Sequence, residues 1–249
     1  MATADLITQL KQDFDDVYAA GKAEVGGSGD YDQGYEDGKN SVVKLERYIT
    51  SRPRFTSLNM FGTSEAILNL DGILDGEDLL SMFYISDAKN ANTTVEHLTV
   101  NCPALIDSMQ QTFFAANYNT YDRTLKRLTL NIDTQKVTNW NYTFAGLVAL
   151  ETIDGMPLNF SSSTSGTNTC FNNDENLKSF RVVANSIKVN FSVAHSRALD
   201  TDTIQSIIDG LADLTGGTAQ TLTLHATVGS KLTDEQKATI TAKNWTLVY

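Results

Sequence analysis

An apolar-x-x-apolar-x-apolar pattern recurs along this chain, and its spacing restricts the fold more than any other feature. The two clearest copies, Val95-Glu-His-Leu98-Thr-Val100 and Leu125-Lys-Arg-Leu128-Thr-Leu130, align without a gap. Looser copies are Leu150-Glu-Thr-Ile153 and Leu177-Lys-Ser-Phe180-Arg-Val182, with Leu68-Asn-Leu70 before them and Leu222-Thr-Leu224 after. Marked by the middle apolar residue, positions 68, 98, 128, 153 and 180 are separated by 30, 30, 25 and 27 residues. Self-similarity at this length signals stacked repeats, because one repeat cannot bury its own apolar face and its neighbours must cover it. The expected fold is an α/β repeat: a solenoid of short parallel strands. Met109, Phe113, Phe114 and Tyr118, then Trp140, Tyr142 and Phe144, then Cys170 and Phe171, are expected to back the sheet.

The two ends read differently. Ile7, Leu10, Phe14, Val17 and Gly21, and after Gly26-Gly27-Ser28-Gly29 also Tyr31, Tyr35, Gly38, Val42, Leu45 and Ile49, follow steps of three and four. That spacing predicts two helices ending before Arg52-Pro53. Residues 1–54 are therefore assigned to an N-terminal helical segment, with self-association through residues 5–50, and residues 55–249 to the repeat domain. A C-terminal β/α cap occupies about 187–249. In it Asp200 caps a helix carrying Ile204, Ile207, Ile208, Leu211 and Leu214 that Gly216-Gly217 stops. A strand from Thr221 to Val228, a capping box at Thr233-Asp-Glu-Gln236 and a last strand Trp245 to Tyr249 follow.

Charge and composition exclude several partners. With 19 basic against 30 acidic residues, the net charge is -11 and the basic residues are scattered. Nucleic acid, which needs clustered Lys and Arg, is not an expected partner. No apolar run approaches the roughly 18 residues of a membrane span, so no membrane insertion is expected. The opening MATADLITQLKQDFDDVYAA is acidic and lacks the features of a secretory signal. Cys102 and Cys170 are the only cysteines, too few for a disulfide scaffold or a zinc site, and read as small buried side chains.

Chemistry-bearing motifs fail on spacing. Gly34 to Lys39 is one residue short of a phosphate-binding loop, and Asp30 to Asp37 lacks the glutamate that closes a calcium loop. No metal, cofactor or catalytic residue is assigned. If strand side chains alternate, one sheet face displays His97, Thr99 and Asn101, then Arg127, Thr129 and Asn131, then Thr152 and Asp154, then Ser179 and Arg181, then Thr221, Thr223 and His225. This polar ladder is the expected ligand-binding face. A second candidate surface carries Trp140, Tyr142, Tyr118 and Tyr121, since exposed aromatics anchor ligands.

The segments VEHLTV, LKRLTL, LETIDG and LKSFRV resemble the BspA-like leucine-rich-repeat proteins, over about residues 65–249. The closing LADLTGGTAQTLTLHATVGSKLTDEQKATITAKNWTLVY is similar to their common C-terminal end, and DYDQGYEDGKNS resembles the start of phage and prophage tail-associated members. The resemblance implies a leucine-rich-repeat-like solenoid that recognises a protein or carbohydrate on a cell surface without catalysis. It implies a virion or extracellular location without a secretion signal, and a cytoplasmic one before assembly. A bacterial surface adhesin of the same family is the alternative. Pro103 and Asp133 stand where the family's repeat places Asn or Cys, so its asparagine ladder is not expected.

Overall fold

The computed structural model describes residues 44–48, 58, 62–85, 92–116 and 121–249. The first expected helix, most of the second, and Tyr118 lie outside the described residues. Lys44–Tyr48 is a strand, β1, paired in parallel with the next strand from Lys44↔Glu65 onward. This corrects the second helix, expected to run through Leu45 and Ile49: a backbone ladder to a neighbouring strand outweighs a weak helical spacing. The compact body runs from Lys44 to Tyr249, starting earlier than the expected boundary after residue 54.

The body is an α/β fold with parallel strands in two sheets and few helices. β2 (Glu65–Asn69), β3 (His97–Cys102), β4 (Arg127–Ile132) and β5 (Thr152–Gly155) join β1 in one sheet in chain order. The sequence pattern explains the strands: inward Leu98, Val100 and Cys102 alternate with half-buried His97, Thr99 and Asn101. Register sets Leu98 beside Leu128 and Leu128 beside Ile153, so equivalent positions of the pattern stack. Burying each such aliphatic side chain contributes roughly 1.5–3 kcal/mol.

Behind the sheet, parallel single bridges link Asp78, Ser108, Asn139 and Ser165 in turn. Between the two sides runs a column of rings: Phe83, Phe113, Phe144, Phe171 and Phe180 stack at centroid separations of 5.3, 5.8, 5.4 and 4.8 Å. Buried Thr112 and Thr143 tie the turns together, with the Thr143 hydroxyl 2.9 Å from both the Met109 and the Trp140 carbonyls.

β3 and β4 are each entered through a side-chain-capped turn. Asn92 Oδ1 accepts the Thr94 and Val95 N–H groups, and Asp122 Oδ1 accepts those of Thr124 and Leu125. Asn92 Nδ2 donates to the Asp122 carboxylate at 3.0 Å, joining two equivalent turns 30 residues apart. Glu96, Lys126, Glu151 and Lys178 also occupy one position of the pattern and alternate in sign. They pair as Lys126–Glu96 and Lys178–Glu151, each at 2.7 Å, and Lys126 and Lys178 hold the Glu96 and Glu151 carboxyls below the usual range.

The C-terminal region holds a second parallel sheet, β6 (Phe191–Val193), β7 (Gln220–Leu224) and β8 (Trp245–Val248), with helices α1 (Thr201–Gly210), α2 (Ala226–Gly229) and α3 (Asp234–Ala242). Asp200 caps α1, accepting the Thr203 N–H at 2.8 Å, and Thr233 with Gln236 forms the capping box of α3. Two boundaries are corrected. α1 ends at Gly210 rather than near Gly216, because Leu211 turns extended and bridges to Ile187 while Lys243 Nζ gathers the Ile208 and Leu211 carbonyls at 3.0 and 2.7 Å. β7 stops at Leu224 rather than Val228, because His225 Nδ1 accepts the Thr227 N–H and caps α2.

Candidate functional site

Most of the expected polar face forms. Strand register brings His97, Arg127 and Thr152 into one row, Thr99, Thr129 and Asp154 into the next, and Asn101 beside Asn131. Ser179 extends the first row by a bridge to Thr152, and its hydroxyl donates to Thr152 Oγ1 at 3.2 Å. Arg181 follows, exposed, with Nη2 donating to the Gly155 carbonyl at 2.9 Å.

The face is cross-linked by its own side chains. Asn131 Nδ2 donates to Asn101 Oδ1 at 2.7 Å, and Asn101 Nδ2 donates to Asn69 Oδ1 at 2.6 Å. An asparagine row therefore exists on the outer face, two residues before the position where the family pattern would put one. His97 Nδ1 lies 3.3 Å from Glu65 Oε1, and Arg127 Nε donates to Asp154 Oδ2 at 3.1 Å. Gly155 closes β5 with φ +91, where a Cβ would meet the Leu130 carbonyl and Asn131 Oδ1.

Thr221, Thr223 and His225 do not continue this ladder. Thr221 and Thr223 lie in the second sheet, opposite Thr246 and Val248, with Ser192 also beside Thr223. His225 lies past the end of β7 as the α2 cap. The apolar-x-apolar pattern of Leu222 and Leu224 is the same in either sheet, so sequence did not separate them.

The aromatic surface also differs from expectation. Trp140 is fully buried against Phe160 at 4.4 Å, its Nε1 without a hydrogen-bond partner, so it cannot anchor a ligand. Tyr142 is 37% exposed and Tyr121 half-buried. Tyr142 stacks instead on Phe114 at 5.1 Å, and Phe114 in turn meets Tyr84 at 5.5 Å.

Sequence reasoning missed a cleft of about 350 Å³ where the polar face meets α1. Thr152, Asp154, Ser179 and Arg181 line one wall, and Asp202, Thr203 and Ser206 the other. α1 closes the sheet edge here: the Phe180 N–H donates to Thr203 Oγ1 at 3.4 Å and the Val182 N–H to Ser206 Oγ at 2.9 Å. These two walls are 21 to 54 residues apart in sequence, and no local pattern announces that they meet.

Among the described residues, no group of three or more His, Cys, Asp or Glu side chains is placed to hold a metal ion, and no helix is long and apolar enough to cross a membrane. Cys102 and Cys170 are buried free thiols, raised above the usual range by desolvation. No family model, curated protein or solved structure matches this chain.

Proposed function

We propose that the chain from β1 onward is a leucine-rich-repeat-like solenoid of the BspA-like type. It serves as a non-enzymatic recognition or structural module of a phage or prophage tail. The observation that carries the reading is the in-register polar face of His97, Thr99, Asn101, Arg127, Thr129, Asn131, Thr152 and Asp154 above a continuous apolar core. A side-chain-braced, open sheet face is preorganised for a macromolecular surface, since little side-chain entropy remains to be lost on binding. The ligand is a protein or carbohydrate of a cell surface. Residues 5–50 supply self-association, and the tail assignment rests on the resemblance of the repeats and the opening segment.

The test is retention of the fluorescently labelled full chain on intact bacterial cells, alongside a Thr99→Asp/Thr129→Asp variant. The two substitutions put charge at the middle of the face without touching the core. Retention by the wild type and its loss in the variant is the expected result. Equal retention of the two proteins would remove the sheet face from the reading.

A further inference from the structure

We infer that the aromatic row of Tyr84, Phe114 and Tyr142, behind the first sheet, docks a proline-rich segment of a protein partner in the polyproline II conformation. The inference goes beyond the sheet-face reading and uses no residue of that face.

One turn, repeated in three copies, builds this surface. Ser81, Gln111 and Tyr142 share a left-handed backbone with φ 55, and in each copy the residue three positions on donates its N–H to their carbonyl. Left-handed backbone favours glycine and asparagine, as at Asn173, Asn185 and Asn244, so the turn itself does not call for a tyrosine at 142. The Tyr142 ring lies on Phe114 at 5.1 Å, and Phe114 meets Tyr84 at 5.5 Å. Tyr142 and Leu80 are each 37% exposed, while Tyr84 and Phe114 are half-buried. In a chain of net charge -11, none of these side chains is charged, and neither are Gln110 and Gln111 in the turn that carries Phe114.

The hydrogen-bonding groups point to a ligand that accepts without donating. Gln111 Oε1 accepts the Ser81 hydroxyl at 3.3 Å and Gln110 Oε1 accepts Asn139 Nδ2 at 2.9 Å, while neither Nε2 group has a partner among the described residues. The Tyr84 and Tyr142 hydroxyls have none among them either. Free donors beside aromatic rings match a proline-rich backbone, which offers carbonyls and apolar rings but no N–H. A saccharide is the poorer match, because each of its hydroxyls also needs an acceptor and both glutamine oxygens are engaged. Spacing agrees with this choice. Two ring-to-ring steps separate the tyrosines, and one turn of a polyproline II helix advances about 9 Å, three residues at about 3.1 Å each. Successive turns of the ligand therefore meet successive tyrosines. Such a helix exists before binding, so little backbone entropy opposes docking.

The test is a fluorescence-anisotropy titration of a labelled peptide of about ten prolines with the full chain, carried to about 1 mM, tenfold above a Kd of about 100 μM. A Gly-Ser peptide of equal length is the flexible control, and cellohexaose is the saccharide competitor. Expected is saturable binding of the proline peptide alone, weakened about tenfold or more by Tyr142→Asn and to a smaller extent by Tyr84→Phe, which removes only a hydroxyl. Asparagine suits the left-handed backbone at 142, so the variant keeps the turn, which an unchanged circular dichroism spectrum verifies. Thr99→Asp/Thr129→Asp is expected to bind the peptide as the wild type does. No saturable binding, equal binding of the Gly-Ser peptide, displacement of the proline peptide by cellohexaose, or binding that Tyr142→Asn and Tyr84→Phe both leave intact would each overturn the inference. Loss of peptide binding in Thr99→Asp/Thr129→Asp would do so too, by placing the peptide on the sheet face. Failure here with cell retention still lost in that variant removes the aromatic row and leaves the sheet face standing.

Discussion

Asp174 is fully buried, with Oδ1 accepting the Leu147 N–H at 3.1 Å and Oδ2 without a partner. Burial raises its carboxyl well above the usual range, and the Leu147 hydrogen bond pulls the other way without cancelling it. A raised carboxyl holds its proton more tightly in the folded state than in the unfolded one. The stability it contributes is fully present below about pH 3.9 and is lost as pH rises through the elevated folded value. Asp174→Asn keeps the acceptor for Leu147 and removes the ionisation. Its melting temperature relative to the wild type is therefore expected to climb from about pH 4 to about pH 8. A difference that stays constant across that range would show that Asp174 does not titrate as its burial dictates. At Lys243 the ammonium gathers the Ile208 and Leu211 carbonyls where α1 ends, the first of which also accepts the Leu211 N–H at 3.3 Å. Lys243→Met keeps the aliphatic stem and leaves those carbonyls without their charged donor. The expected cost is about 1.5–3 kcal/mol in urea denaturation, the range for hydrogen bonds to a charged group. A loss below about 0.5 kcal/mol would mean that water replaces the ammonium fully.

The alternation of Glu96, Lys126, Glu151 and Lys178 is a property of stacked elements rather than of any one strand. All four side chains are largely exposed, so the pairing sets register more than stability. A double-mutant cycle over Glu96→Gln and Lys126→Gln is expected to return a favourable coupling at low salt. That coupling should vanish near 1 M salt, where charges are screened within about 3 Å. A coupling that survives would point to a buried contribution. This row was present in the quoted repeats but concealed by reading only the apolar positions. Asn92, Asp122 and Asp174 were missed in the same way, each three residues ahead of the first apolar residue of a copy. β3 and β4 were legible because their alternation is clean and their copies align without a gap. β1 was not, because Val42, Leu45 and Ile49 also satisfy a helical spacing and only its pairing with β2 decides the matter. The polar face from His97 to Arg181 followed from alternation alone. The cleft did not, because α1 reaches the sheet edge through Thr203 and Ser206, whose hydroxyls look like ordinary helix polar positions in sequence.

At the scale of the molecule, one apolar cluster runs from Leu58, between β1 and β2, to Trp245 in the last strand. Phe191 belongs to β6 of the second sheet and packs edge-on against Phe160 at 5.3 Å and Phe171 at 6.0 Å, so the ring column of the first sheet continues into the core of the second. Ile187 extends the link through its bridge to Leu211. Where two sheets share one core, the contact between them must be well packed for both to unfold as one, and a weak contact splits the transition. The two tryptophans report on either side of this boundary. Trp140 lies in the core behind the first sheet, and Trp245 lies in the second sheet with its Nε1 donating to the Ala212 carbonyl at 2.9 Å. Trp245→Phe leaves Trp140 as the only indole, and Trp140→Phe leaves Trp245, removing at the same time a buried N–H that has no partner. After each variant's own midpoint is measured by circular dichroism, its fluorescence midpoint in urea is expected to coincide with it. A Trp245 signal lost at lower urea than the dichroism would show that the second sheet unfolds first and that the Phe160–Phe191–Phe171 contact is too weak to hold the two sheets in one cooperative unit.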